Sequence, residues 1–301
     1  MEVLVSESNL TNIANSIRSK LGVQTLYKPR EMSGAIDDIE TGGGQAEEDL
    51  KKLIDRTATS VTIPDSTTTI GNYAFYYYSN LALTSLPNSV TSIGISAFYN
   101  CTNLALTSLP SGLTSIAAGS FRGCTNLALT NLPSNITSIG NYAFYYCTKL
   151  ALTGLPSGIT SINDNAFYNC TNLALTSLPS GVTSIGINAF QNCKNLALST
   201  LPDNITTIFQ QAFYNCPNVT ITELPTQLDG IGSYAFCDCI GLTTITFRKK
   251  FFYHSSMGSN VFYGCINLTT INVPWAEGAI AGAPWGAPNA TVVYNYTSGG
   301  A

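Results

Sequence analysis

Charge is scarce in this chain. Of its 301 residues only 10% are Asp, Glu, Lys or Arg, and the net charge is −4. Between Ile70 and Phe247 the charged residues are Arg122, Lys149, Asp164, Lys194, Asp203, Glu223, Asp229 and Asp238. So sparse a set makes no basic field for a phosphate backbone, which excludes nucleic acid as an expected partner. Histidine is scarcer still. With His254 alone, most Ser-His and Cys-His schemes lack their base, and the carboxylates show no paired arrangement. No catalytic residue, cofactor or metal site is therefore expected, and the chain reads as no enzyme. No apolar run is long enough to span a bilayer, so no membrane insertion is expected. The opening MEVLVSESNLTN lacks a charged n-region and an apolar h-region, so a secretory leader is not expected.

What the chain does have is a beat. Phenylalanine stands at 75, 98, 121, 144, 167, 190, 213 and 236, seven consecutive steps of 23 residues, and Phe262 follows 26 later. Prolines 64, 87, 110, 133, 156, 179, 202 and 225 keep the same step, as do cysteines 101, 124, 147, 170, 193, 216 and 239. A fixed period of this size means one supersecondary unit stacked on copies of itself. One such unit buries too little apolar surface to offset the entropy of ordering its backbone, so neighbours must supply the rest.

Residues 98–120 illustrate the unit. Leu104 and Leu106 alternate with Ala105 and Thr107, which predicts a strand with one buried face. Leu109-Pro110 ends it, because proline donates nothing to a ladder. A polar turn follows, then Leu113-Thr-Ser-Ile116, then a corner of small residues. Phe121-Arg-Gly-Cys124 opens the next copy in a predicted short helical or 3₁₀ turn with its Phe inward. The cysteines read as a column of buried thiols, since free Cys behaves as a small hydrophobe. The Asn-x-Thr triplets and the column Asn103, Asn126, Asn172, Asn195 and Asn218 follow from the repeat itself.

The pattern Leu-x-x-Ile-x-[Ile/Leu]-Pro-x-x-Val-x-x-Ile-x-x-x-Ala-Phe-x-x-Cys resembles the BspA-like (Treponema-type) leucine-rich repeats over residues 57–273. The resemblance implies a leucine-rich-repeat solenoid of about nine 23-residue coils, mainly β with short turns, right-handed, with a strand on one face. Departures are Tyr78 in place of Cys, Ser120-Phe121 in place of Ala-Phe, and a surplus at 248–254.

Two outward columns are candidate protein- or glycan-binding residues. Thr107, Thr130, Thr153 and Thr176 line the predicted strand face, either as a flat docking surface or merely as small residues that let strands pack. Tyr76, Tyr99, Tyr145, Tyr168 and Tyr214 follow the buried Phe, interrupted by Arg122, Gln191 and Cys237, with Tyr73, Tyr77, Tyr142, Tyr146 and Tyr234 beside them. Exposed Tyr among Ser, Asn and Gly suits adaptable recognition; the alternative is that the rings shield the turn from water.

The ends differ from the array. Residues 1–40 show helical spacing at Leu10, Ile13, Ile17 and Leu21, and again from Pro29 to Ile39. A Gly-rich linker at 41–45 precedes a predicted helical cap at 46–56, and the first strand is expected at Val61–Pro64. Residues 274–301 read as a Trp/Gly-rich cap and tail with a last strand near Ala290–Tyr294. Leu10–Gly22 with Tyr27–Met32, and separately Val273–Gly278 with the Trp285 segment, resemble elements of phage and prophage tail-associated proteins of Gram-positive bacteria. That resemblance implies a virion protein of the tail tip, baseplate or fibre. Its N-terminal helices would bind other tail proteins or trimerise, and its solenoid would bind a host surface protein or glycan. The alternatives are a bacterial surface adhesin with BspA-like repeats and a purely structural spacer.

Overall fold

The structure is a computed structural model, described for residues 56–249 and 257–297. It is a parallel β-solenoid of about nine turns spaced 23 residues apart. The helices predicted within 1–55 and most of the 248–254 insertion lie outside the described residues.

Eight short strands carry one side of the rod: β1 (Thr69–Ile70), β2 (Ser92–Ile93), β3 (Ser115–Ile116), β4 (Ser138–Ile139), β5 (Ser161–Ile162), β6 (Ser184–Ile185), β7 (Thr207–Ile208) and β8 (Gly230–Ile231). Each pairs in parallel with a copy 23 residues away, so Ile sits on Ile, as Ile70 on Ile93 and Ile185 on Ile208. The Ser or Thr faces outward and the Ile inward. The pairing skips β2–β3 and β4–β5. At the second break the Asn163 side-chain amide donates to the Ile139 carbonyl at 2.6 Å.

This placement corrects the sequence reading. The strands lie in the Thr-Ser-Ile stretch, and the Leu104–Leu106 stretch holds no strand. Its alternation is real: Leu104 and Leu106 are buried, and Ala105 N–H donates to Leu83 O at 2.9 Å. One such bond per coil is too few for a ladder, because Ser108-Leu109-Pro110 turns the chain away. Val61–Pro64 is likewise no strand; the Thr59 carbonyl accepts from Ala82 N–H there. Past β8 the ladder changes sides. β9 (Thr244–Thr246), β10 (Thr270–Asn272) and β11 (Thr291–Val293) pair in parallel, and β9 and β10 follow Cys239 and Cys265. There Thr-Thr-Ile replaces Ala-Leu-Thr, so β-branched residues continue the strand up to Arg248 and Pro274. The last strand predicted near Ala290–Tyr294 is β11.

The Ala-Phe-x-x-Cys stretch is also not helical; no helix occurs among the described residues. It consists of tandem turns such as Tyr99 N–H to Ser96 O at 3.2 Å and Cys101 N–H to Phe98 O at 3.1 Å. Two residues four apart adopt positive φ, for example Asn165 (56°) and Asn169 (58°), which breaks a helix. Alternate N–H groups then point along the rod: Tyr73, Phe75 and Tyr77 donate to Ile95, Ala97 and Tyr99 of the following coil at 2.7–2.9 Å. On the strand side the direction is reversed, with Thr91 and Gly94 donating back to Thr68 and Ile70. The dipoles of the two ladders therefore oppose one another.

The core is a set of columns. Nine phenylalanines stack with ring centroids 5.1–5.8 Å apart from Phe75 to Phe262. All nine cysteines are free and buried. Those in the column donate S–H to the Phe carbonyl of the preceding coil, as Cys147 to Phe121 at 3.0 Å. Burial pushes the Cys101 and Cys265 thiols up to about 12 and the central ones well above their usual range. Phe247, Trp275 and Trp285 form an aromatic cluster at the C-terminal end.

Candidate functional site

The tyrosines of the turn side form a continuous structure. From Tyr76 to Tyr214 each residue after the buried Phe is partly exposed, so copies fall into register along the rod. Tyr76 stacks on Tyr99 with centroids 4.7 Å apart and planes 26° apart; Tyr145 stacks on Tyr168 at 4.6 Å and 15°. Arg122 fills the gap between these pairs. Its guanidinium lies 5.2 Å from the Tyr99 ring centre, 4.6 Å from Tyr145 and 5.1 Å from Tyr142. Arg56 adds a cation over Tyr76 at 5.8 Å. The apparent interruption at Arg122 is therefore a link in the column. The missed signal was its chemistry: a planar guanidinium at a ring position completes the stack by cation–π contact.

Tyr214 does not join the stack. Gln191 separates it from Tyr168, and its phenol is pushed up chiefly by Cys237, then by burial. Tyr99, Tyr145 and Tyr168 are also raised, with burial the first cause, so these phenols remain protonated donors. Thr107, Thr130, Thr153 and Thr176 are exposed, but stand after the Leu stretch and not on the β-sheet expected for them. The structure places them on a different stretch of each coil from the tyrosines.

Beside the column stand tyrosines in an unusual conformation. The paired positive-φ positions hold Gly119 and Gly123, Asn188 and Asn192, or Gln211 and Asn215 in other coils. In the first and fourth coils they hold Tyr73 (58°) with Tyr77 (65°), and Tyr142 (59°) with Tyr146 (60°). A non-glycine residue there costs on the order of 1 kcal/mol, less for Asn than for a bulky ring. Edge contacts recover part of it, such as Tyr76 with Tyr77 at 4.7 Å and Tyr145 with Tyr146 at 4.8 Å. The four rings nevertheless stay 37–56% exposed.

Other features offer less. A cleft of about 220 Å³ is lined by Ser199, Leu201, Asp203, Glu223 and Arg248, but Arg248 is already paired with Asp203 at 3.0 Å and Glu223 at 3.6 Å. Among the described residues no group of three His, Cys, Asp or Glu is placed to hold a metal, and no helix is long and apolar enough to cross a membrane.

Fold and columns together define a leucine-rich-repeat solenoid with an aromatic edge. The sequence pattern of the BspA type leucine-rich repeat region matches residues 55–174 and 160–280 in six copies, and the chain belongs to that family. No catalytic family is indicated. No curated protein matches. Among solved structures, a leucine-rich repeat protein from Bacteroides ovatus is similar, with 22% identity and a TM-score of 0.56. That match covers 75% of this chain and 64% of the other, so this chain spans less than two thirds of that relative. A leucine-rich cell surface protein from Faecalibacterium prausnitzii is 25% identical, with 80% of each chain covered and a TM-score of 0.48. The pneumococcal vaccine antigen PcpA is 20% identical over 71% of this chain and 68% of its own, with a TM-score of 0.43.

Proposed function

We propose that this chain is the non-enzymatic binding rod of a bacterial surface adhesin, which attaches to proteins on another cell through the column from Tyr76 to Tyr168. The observation that carries the reading is the aromatic column itself: stacked rings held in register by the coil, with Arg122 clamped inside it. Tyr and Arg are enriched at binding hot spots; Tyr gives large contact area with little loss of side-chain freedom, and Arg122 is already held between rings. Membership of a leucine-rich-repeat family supports the reading of a scaffold that presents surface. A purely structural spacer has no use for tyrosines at positions where Asn or Gly is less strained.

The phage-tail reading rests on the sequences of residues 10–32, which lie outside the described residues, and of residues 273–294 at the Trp-rich end. In that setting the N-terminal helices would hold tail proteins or trimerise, and the same column would face a host receptor.

Immunogold labelling with an antibody to residues 60–240 separates the two. The adhesin predicts label on the bacterial envelope; label on purified particles alone contradicts it. For the partner class, full-length protein is applied to host cells before and after protease stripping. Loss of binding after stripping is expected, and binding that survives protease but falls to glycosidase would exclude a protein receptor.

A further inference from the structure

The strained tyrosines and Arg122 together point to a more specific ligand, on the reading that this column is the binding face. Two tyrosine pads occur, Tyr73 with Tyr77 and Tyr142 with Tyr146, and Arg122 lies in the coils between them. Glycines at 119 and 123, both at positive φ, occupy the corresponding positions of the arginine's own coil. The arginine's own coil thus adds no ring there; the short Ser96 and Asn100 side chains of the preceding coil lie over the two glycines.

Charge singles out this half of the rod. From residue 57 to 163 the ionisable acids and bases are Asp65, Arg122 and Lys149, a net charge of +1. From 164 to 238 they are Asp164, Lys194, Asp203, Glu223, Asp229 and Asp238, a net charge of −4. Arg248 and Lys249 are neutralised by carboxylates of that second half. Among the described residues no carboxylate pairs with Arg122; its partners are rings. A cation held at fixed geometry, without a counter-charge of its own, favours an anionic partner.

Ring geometry then selects the kind of anion carrier. All but the two end faces of Tyr76, Tyr99, Tyr145 and Tyr168 are taken up by one another or by Arg122. With Arg56 over Tyr76, the outer face of Tyr168 is the one ring face of the column left uncovered, too little for a sugar chain to lie along. The column offers ring edges, phenolic hydroxyls and a guanidinium, which suit the carbonyls and a carboxylate of a peptide. The pads are three coils apart, roughly 14 Å at ~4.8 Å per coil, which an extended chain covers with about four residues.

We propose that Arg122, with Tyr99, Tyr142 and Tyr145, forms a carboxylate-reading subsite for an extended acidic peptide segment of a partner protein, whose flanks rest on the two tyrosine pads.

The test uses the full-length chain and a fluorescent octapeptide of alternating Glu and Gly, read by polarisation. Its Gln counterpart, unlabelled sialyllactose as competitor, and protein self-association by sedimentation are the controls. The proposal expects the Glu peptide to bind at least ~10-fold tighter than the Gln peptide. It also expects Arg122→Gln to lose at least ~10-fold with an unchanged melting temperature, and Arg122→Lys to recover only part of the loss. Tyr142→Asn with Tyr146→Asn separates binding from folding: the pair should weaken the peptide while leaving melting unchanged or higher. Equal affinity for both peptides, indifference to Arg122→Gln, displacement by sialyllactose, or self-association that alone occupies the site would each overturn the assignment. If the acidic peptide fails while cell binding still depends on the tyrosines, this inference falls and the adhesin reading stands.

Discussion

At the scale of single residues, the core positions make sharp predictions. Ser120 replaces the alanine that precedes Phe in most coils, is fully buried, and has no hydrogen-bond partner for its hydroxyl among the described residues. Ser120→Ala should therefore stabilise the protein by about 1 kcal/mol, visible as a raised denaturation midpoint. The cysteine column makes a second prediction. Its thiols are fully enclosed and their ionisation is pushed up by burial, to about 12 at Cys101. Native protein should resist alkylation at neutral pH and react only as it unfolds. Folded thiols hold protons that unfolded thiols release near pH 9, so stability should be flat below that point and fall as pH rises toward 12. Stability that rises over this window would contradict the enclosed column.

At the scale of the coil, the corner glycines decide how closely neighbours approach. A Cβ at Gly186 would come within 2.7 Å of the Asp164 backbone nitrogen and 2.8 Å of the Asn163 carbonyl carbon, whereas one at Gly154 meets nothing within 4 Å. Gly186→Ala should cost roughly 1–3 kcal/mol and Gly154→Ala should be neutral or slightly stabilising, measured by urea unfolding. The coil is also where legibility in the sequence changes. The Phe, Pro and Cys columns were readable because each occupies one fixed phase of the period. The strand was not, because Leu104-Ala-Leu106 alternates as a strand should, while pairing along the rod instead chose Ser115–Ile116. Pairing is a relation between residues 23 apart, and local alternation does not encode it. The helical turn failed for a different reason. Asn165 with Asn169 and Gly119 with Gly123 are pairs suited to positive φ, a signal present in the sequence but masked by Ala-Phe-x-x-Cys spacing. The tyrosine column was legible as a period; the closure of its gap by Arg122 depended on side-chain geometry that a period does not carry.

At the scale of the whole molecule, identical coils make a rod whose stability accumulates along its length, so function resides where copies differ. The C-terminal end differs by its Phe247, Trp275 and Trp285 cluster and the strand β11. The N-terminal half differs by its tyrosines and Arg122, and the C-terminal half by its carboxylates. The central claim is that the column from Tyr76 to Tyr168 is the binding face. The most direct measurement titrates full-length protein and its Tyr99→Ser, Tyr145→Ser, Tyr168→Ser variant onto host cells, with thermal unfolding followed on the same samples. The column account predicts at least ~10-fold weaker attachment with a melting temperature changed by only a few degrees. Equal attachment by the folded variant would contradict it.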